Sequence, residues 1–207
     1  MDSISAALAE QYAQISEVEL AAVLLAIGYL LLAIRQNIWC WFCAAISTAI
    51  YVVLFAQANL YMESLLNVFY FGMAIYGWRV WTHGRAGQRE LPVARWSLNT
   101  HVIALTVIVV LSLATGFLLE RRTDAAFPYV DSLTTYAAIW ATYLVVRKVL
   151  ENWWYWLVID LMSIVIYWSR DLELTAFLFV VYVILIPFGL AAWTRSFRNA
   201  PPIAETA

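Results

Sequence analysis

The chain has 207 residues, 64% of them apolar and 13% charged, and its mean hydropathy is +0.77. Soluble domains carry about 45–50% apolar and about 25% charged residues, so the excess has to face lipid, and an ordinary soluble domain is excluded. A net charge of −2, from 12 Lys+Arg against 14 Asp+Glu with no long basic run, leaves no electrostatic footprint for nucleic acid.

Crossing about 30 Å of hydrocarbon takes roughly 20 helical residues, and apolar stretches of that order lie at 18–34, 38–56, 60–82, 98–119, 129–147, 153–169 and 172–194. The expected fold class is an all-α membrane protein with seven transmembrane helices. The N-terminal segment 1–17 carries Asp2, Glu10 and Glu17, with no Lys or Arg before Arg35. That is the wrong flank for a cleaved signal peptide, so the first helix is expected to stay. The connections 35–37, 57–59, 148–152 and 170–171 are short enough to make neighbouring helices antiparallel, while 83–97 is a polar loop with Arg85, Arg89 and Arg95. The tail 195–207, with Pro201 and Pro202, reads as disordered.

Seven spans put the termini on opposite sides. With the N-terminus outside, the cytoplasmic connections hold nine of the twelve basic residues, leaving Arg121, Arg122 and Arg170 outside. The positive-inside tendency therefore selects N-out and C-in. Tryptophans near the span ends, among them Trp39, Trp78, Trp154 and Trp168, read as an interfacial aromatic belt. Cys40 and Cys43 fall inside an apolar helix and read as packing residues, and His83 and His101 lie far from them along the chain. No metal and no cofactor is expected.

A shift of 112 residues aligns 35–81 with 147–193 without a gap. Identities include Arg35/Arg147, Trp41/Trp153, Tyr70/Tyr182, Gly77/Gly189 and Trp81/Trp193, nine in 47 positions, where roughly four would arise by chance in so biased a composition. Each copy holds three helices, an odd number, so the unrepeated helix 98–119 is needed to restore the orientation of the second copy. The result is a 3+1+3 arrangement of two parallel three-helix bundles, 18–82 and 129–194. SWEET-type transporters share this geometry, with a substrate site between the bundles near the midplane.

An acid inside a span costs roughly 2.5–3.5 kcal/mol on insertion scales. Asp160 is the clearest case, central in 153–169 and on one helical face with Trp153, Trp156 and Tyr167. Glu63, Asn67, Tyr70, Ala74 and Gly77 trace one face of 60–82, and Asp131, Thr135, Ala138 and Thr142 one face of 129–147. Glu63 and Asp131 lie close to span ends and are equally compatible with meeting water. For Asp160 an interhelical hydrogen bond competes with a pore-facing role, and the latter is favoured. Aromatic rings around a carboxylate suit a flat organic cation, whereas an inorganic cation would ask for more oxygen ligands. Pro187 kinks or hinges the last span.

These segments carry a resemblance. NVFYFGMAIYGWRVW at 67–81, FPYVDS at 127–132, RKVLENWWYWLVIDLMSIVIYW at 147–168 and LTAFLFVVYV at 174–183 are similar to the PnuC family of nicotinamide riboside (vitamin B3 precursor) transporters. The resemblance implies a homotrimer in the bacterial inner membrane, surrounded by lipid, with a pathway in each protomer. It also implies facilitated diffusion of an unphosphorylated vitamin that a cytoplasmic kinase then traps. Carried over by position, the substrate-binding residues would be Asn67, Tyr70, Asp131, Asn152, Trp153, Trp156, Asp160 and Tyr182. The chain departs from riboside-carrying members at Asn67, where they tend to have Gln, at Asp160, where they have Asn, and at Phe188, where they have Asn. An ionised Asp160 only accepts hydrogen bonds, so thiamine, carried by a sister branch, stays open beside nicotinamide riboside. An intramembrane enzyme is the remote alternative. The sole lysine, Lys148, lies at a span end, and His101 has no evident partner in the sequence.

Overall fold

A computed structural model describes residues 17–57, 61–83, 91–122, 127–169 and 173–199, with side chains from Ser64 onward in the third helix and from Ala176 onward in the last. The expectations for segment 1–16, for Glu63, Arg85, Arg89 and Arg170, and for the end of the tail, including Pro201 and Pro202, lie outside those residues.

The described residues form seven helices: α1 Glu17–Ile34, α2 Trp39–Gln57, α3 Tyr61–His83, α4 Leu98–Arg122, α5 Pro128–Val146, α6 Asn152–Trp168 and α7 Glu173–Asn199. Most ends fall within a residue of the apolar stretches. The exceptions are the C-termini of α4 and α7, which run on into polar sequence, because hydropathy marks where lipid stops and not where backbone hydrogen bonding stops. Basic residues in a last turn favour such extensions, and Arg121 lies over the Phe117 ring at 4.0 Å. Four helices are long and apolar enough to cross a membrane by length and composition: α1, α2, α4 and the Ala176–Asn199 part of α7.

Local chemistry sets the helix ends. Gln36, in the left-handed region (φ 55), closes α1, with Gln36 N donating to Ala33 O and Asn37 N to Leu32 O, each at 2.9 Å. This is a Schellman closure without glycine. Asn37 then accepts from Trp39 N through Oδ1 at 3.0 Å and starts α2. Ser97 accepts from Thr100 N at 3.3 Å and starts α4. Pro128 occupies the first position of α5, where a missing N–H costs nothing. Lys148, just past α5, is again left-handed (φ 49).

The chain divides into two compact units. Among the described residues, one comprises 17–57, 61–83, 91–94, 146–150 and 187–199; the other comprises 95–122, 127–145, 151–169 and 173–186. In the first unit α2 packs against both α1 and α3. Ser47 Oγ donates to Ala22 O at 2.9 Å, Ser64 Oγ donates to Val52 O at 2.8 Å, and the Trp41 indole lies against Gly77. In the second unit α4 meets α5 where Tyr129 lies over Gly116 and where the Thr115 and Tyr136 hydroxyls stand 2.8 Å apart. The buried residues of α4, His101, Ile108, Ser112 and Gly116, form one narrow stripe, and most of its remaining apolar surface is exposed.

Candidate functional site

Helix α6 has two faces of opposite character. Trp154, Val158, Leu161, Val165 and Trp168 are exposed along one. Along the other run Trp153, Trp156, Asp160, Ser163 and Tyr167, with Trp153, Asp160 and Ser163 buried. Asp160 is 3% exposed, and among the described residues it has no hydrogen-bond or ion-pair partner. Its carboxyl group therefore points away from the lipid-type surface of its own helix. Asn152, at the first turn, is fully buried.

Aromatic packing brings α7 to this face. Tyr167 stacks on Phe179 at 5.3 Å and 9°, and Phe179 meets Tyr182 edge-on at 5.7 Å. Tyr182 is thus linked through Phe179 to Tyr167, seven residues along α6 from Asp160. Phe179 and Ser163 were not singled out in the sequence. Ser163 was within reach, three residues on from Asp160, whereas nothing in the sequence marks Phe179 as the ring that Tyr167 would meet.

On α5, Asp131 is half-buried in the first turn. Thr135 Oγ1 donates back to Asp131 O at 2.7 Å and Thr142 Oγ1 to Ala138 O at 2.8 Å, which leaves both hydroxyl oxygens able to accept. Asn67 and Tyr70 stand half-buried on α3, in the other compact unit, and the Tyr70 ring lies 5.7 Å from Phe69.

The start of α6 is fixed by a polar cluster that corrects one expectation. His101 does have a partner: its Nδ1 is 3.0 Å from the Tyr155 hydroxyl, and its Nε2, without a hydrogen bond, faces Glu151 Oε2 at 3.8 Å. Glu151 also accepts from Arg95 Nε at 2.9 Å and from Trp96 N at 3.3 Å. The segment before α4 is thereby tied to the turn that launches α6. The relation was invisible in the sequence because more than 50 residues separate the partners. Cys40 and Cys43 are free thiols, as their apolar setting implies, and no cluster of metal-ligand side chains occurs among the described residues.

A seven-helix apolar chain with a buried carboxyl group on the same helical face as Trp153, Trp156 and Tyr167 fits the class of membrane carriers of small organic molecules. Residues 16–195 match the profile of the nicotinamide mononucleotide transporter family, and the chain belongs to that family. It is similar to the nicotinamide riboside transporter PnuC of Escherichia coli K12, at 27% identity, covering 86% of this chain and 84% of that protein. The riboflavin/roseoflavin transporter RibM of Streptomyces davaonensis is 25% identical, covering 91% and 87%. The crystal structure of the vitamin B3 transporter PnuC superimposes with a TM-score of 0.74 at 18% identity, covering 96% of this chain and 89% of that one, which establishes a common fold.

Proposed function

We propose that this chain is a seven-span vitamin transporter of the bacterial inner membrane, with its N-terminus outside, that carries nicotinamide riboside by facilitated diffusion into a cytoplasm where a kinase traps it. The observation that carries the reading is the isolated Asp160 carboxylate on the face of Trp153 and Trp156. An unpaired buried charge is costly, and a cationic ring offsets that cost while stacking on the indoles. A neutral flavin ring would leave the carboxylate without a counter-charge, so the likeness to RibM weighs less than the likeness to the riboside carriers. Thiamine is the second reading, favoured by the same carboxylate, since it combines a thiazolium charge with an aminopyrimidine donor that Asp160 would accept.

Asn67, Tyr70, Asp131, Asn152, Trp153, Trp156, Asp160 and Tyr182 are the proposed cargo-binding residues, and the protein is proposed to act without enzymatic chemistry. A 3+1+3 architecture with bundles 18–82 and 129–194 is supported by contacts between residues 112 apart, Gln36 with Lys148 and Trp81 with Trp193. A homotrimer in lipid fits the wide exposed apolar surface of α4. The test is uptake by proteoliposomes of nicotinamide riboside, thiamine and riboflavin. Asp160→Ala should weaken cation binding by about 2–4 kcal/mol, and Trp156→Ala should impair it as well. Uptake unchanged in either variant refutes the site. A preference moved towards nicotinamide riboside in Asp160→Asn identifies thiamine as the native cargo.

A further inference from the structure

Four helix ends meet in the unit that contains α1, α2, α3, residues 146–150 and residues 187–199. The Trp81 indole, at the end of α3, donates from Nε1 to Val146 O, the last carbonyl of α5, at 3.0 Å. The Trp193 indole, near the end of α7, donates from Nε1 to Ala33 O in the last turn of α1, also at 3.0 Å. Val146 O lies where α5 runs out of its own N–H donors, while Ala33 O, which also accepts from Gln36 N, belongs to the closure of α1, so each indole ties onto the end of a helix remote from it in sequence. The two rings lie 6.3 Å apart and are 5% and 0% exposed. The ammonium group of Lys148 sits 4.5 Å over the Trp81 ring and 3.4 Å from Gln36 Oε1. Among the described residues, Gln36 and Lys148 are the two non-glycine residues with positive φ, 55 and 49. Within each pair, Trp81 with Trp193 and Gln36 with Lys148, the residues are 112 positions apart.

We propose that Trp81 and Trp193 form a clasp that closes this end of the molecule and opens once in each transport cycle. The inference rests on the transporter reading given above. A neutral hydrogen bond is worth roughly a threefold to tenfold factor in an equilibrium constant. The two bonds together contribute about tenfold to a hundredfold to the closed state, beside what burial of the two rings contributes. Trp81 and Trp193 are equivalent in the 112-residue repeat, so their contact lies where the two repeats meet, and rocking of one repeat against the other has to part it. The left-handed turns at Gln36 and Lys148 stand beside the paired indoles, and the first is held by its own backbone hydrogen bonds, so it can stay closed while the indoles part.

A native reporter lies beneath the clasp. Cys40 is 0% exposed, and its neighbour Trp41 packs edge-on against Trp81 at 5.3 Å. Labelling of Cys40 by N-ethylmaleimide, in full-length protein carrying Cys43→Ala in proteoliposomes without cargo, measures opening directly. Trp81→Phe and Trp193→Phe keep an aromatic ring and remove the donor together with part of the indole's volume. Each should speed labelling about threefold to tenfold and the double variant about tenfold to a hundredfold, with an unchanged cooperative melt showing that the fold persists. A double variant that melts as wild type and labels at the wild-type rate overturns the clasp.

The second arm locks it. Trp81→Cys and Trp193→Cys, joined by a short bismaleimide in a Cys40→Ser, Cys43→Ser background, should abolish nicotinamide riboside uptake that the unlinked variant retains. Uptake that survives the cross-link makes this end a fixed joint and overturns the proposal. If the cargo assignment is wrong, the unlinked variant and the wild type both fail to take up the riboside, while the labelling arm still reports on the clasp.

Discussion

The contact between α2 and α3 makes a sharp demand on one glycine. A Cβ at Gly77 would lie 2.5 Å from Cδ2 and Cζ2 of Trp41. That indole cannot swing aside cheaply, since it is buried and held by Trp81 at 5.3 Å and Tyr29 at 6.0 Å. Gly72, five residues earlier on the same helix, has nothing within 4 Å of its would-be Cβ. Overpacking of a filled site costs about 1–3 kcal/mol, and the ring overlap at Gly77 puts it at the upper end, near 3 kcal/mol. Replacing a helical glycine by alanine gains up to about 1 kcal/mol from backbone preference, so Gly77→Ala should lose about 2 kcal/mol net while Gly72→Ala gains up to 1. The pair should therefore differ by about 2–3 kcal/mol. Thermal or chemical denaturation of the two variants in one detergent, followed by near-UV circular dichroism, measures the difference. Equal stabilities would refute the close packing of Trp41 on α3.

Gly116→Ala should cost more than Gly77→Ala in the same assay, because its Cβ would meet the backbone Cα of Tyr129 at 2.9 Å as well as the ring, and backbone yields less readily than a side chain. At the start of α6, Arg95→Ala should change stability by less than about 1 kcal/mol, since the arginine is 64% exposed and an exposed ion pair is screened. Glu151→Ala should cost about 1–3 kcal/mol, because it also strips an acceptor from Trp96 N and leaves the half-buried turn without its tie. Melting curves at low and high salt check both: the arginine effect should fade with salt and the glutamate effect should largely persist.

Much of the fold was legible because lipid imposes a simple rule. A run of apolar residues long enough to cross a bilayer has to be helical, and the bounds of α1, α2, α3, α5 and α6 follow from that within a residue. The ends of α4 and α7 do not, because Arg121 and Arg195 continue helices beyond the apolar run. On α6 the helical period was sufficient to put Trp153, Trp156, Asp160 and Tyr167 on one face. The exposed stripe of Val158, Leu161 and Val165 on the other side agrees with that reading. The neighbours of His101 were out of reach, because no periodicity connects a residue of α4 with Glu151 and Tyr155.

The clasp marks a different boundary of sequence reading. A repeat offset identifies equivalent positions, such as Trp81 and Trp193, but equivalence alone does not bring two residues together. Under a twofold relation between the bundles, a residue meets its own equivalent only where it lies on the axis, and nothing in the one-dimensional pattern says which positions do. Of the matched pairs, Arg35/Arg147 and Tyr70/Tyr182 are as well preserved by offset as Trp81/Trp193. The indoles are singled out by meeting at 6.3 Å while each donates to a carbonyl at the end of a distant helix. A position on such an axis has to serve two surroundings with one residue type, and tryptophan does so by offering a ring to its equivalent and a single donor to the chain beside it. The break in symmetry lies next to it, where one copy has Gln36 and the other Lys148. Only one of the two can place a charge over an indole, so one side of the clasp, at Trp81, is held by a cation–π contact in addition to its hydrogen bond. Trp81→Phe keeps a ring for that cation and Trp81→Leu does not. A further increase in Cys40 labelling from the first variant to the second would therefore measure the cation–π share, and equal rates would assign the whole hold to the indole donor.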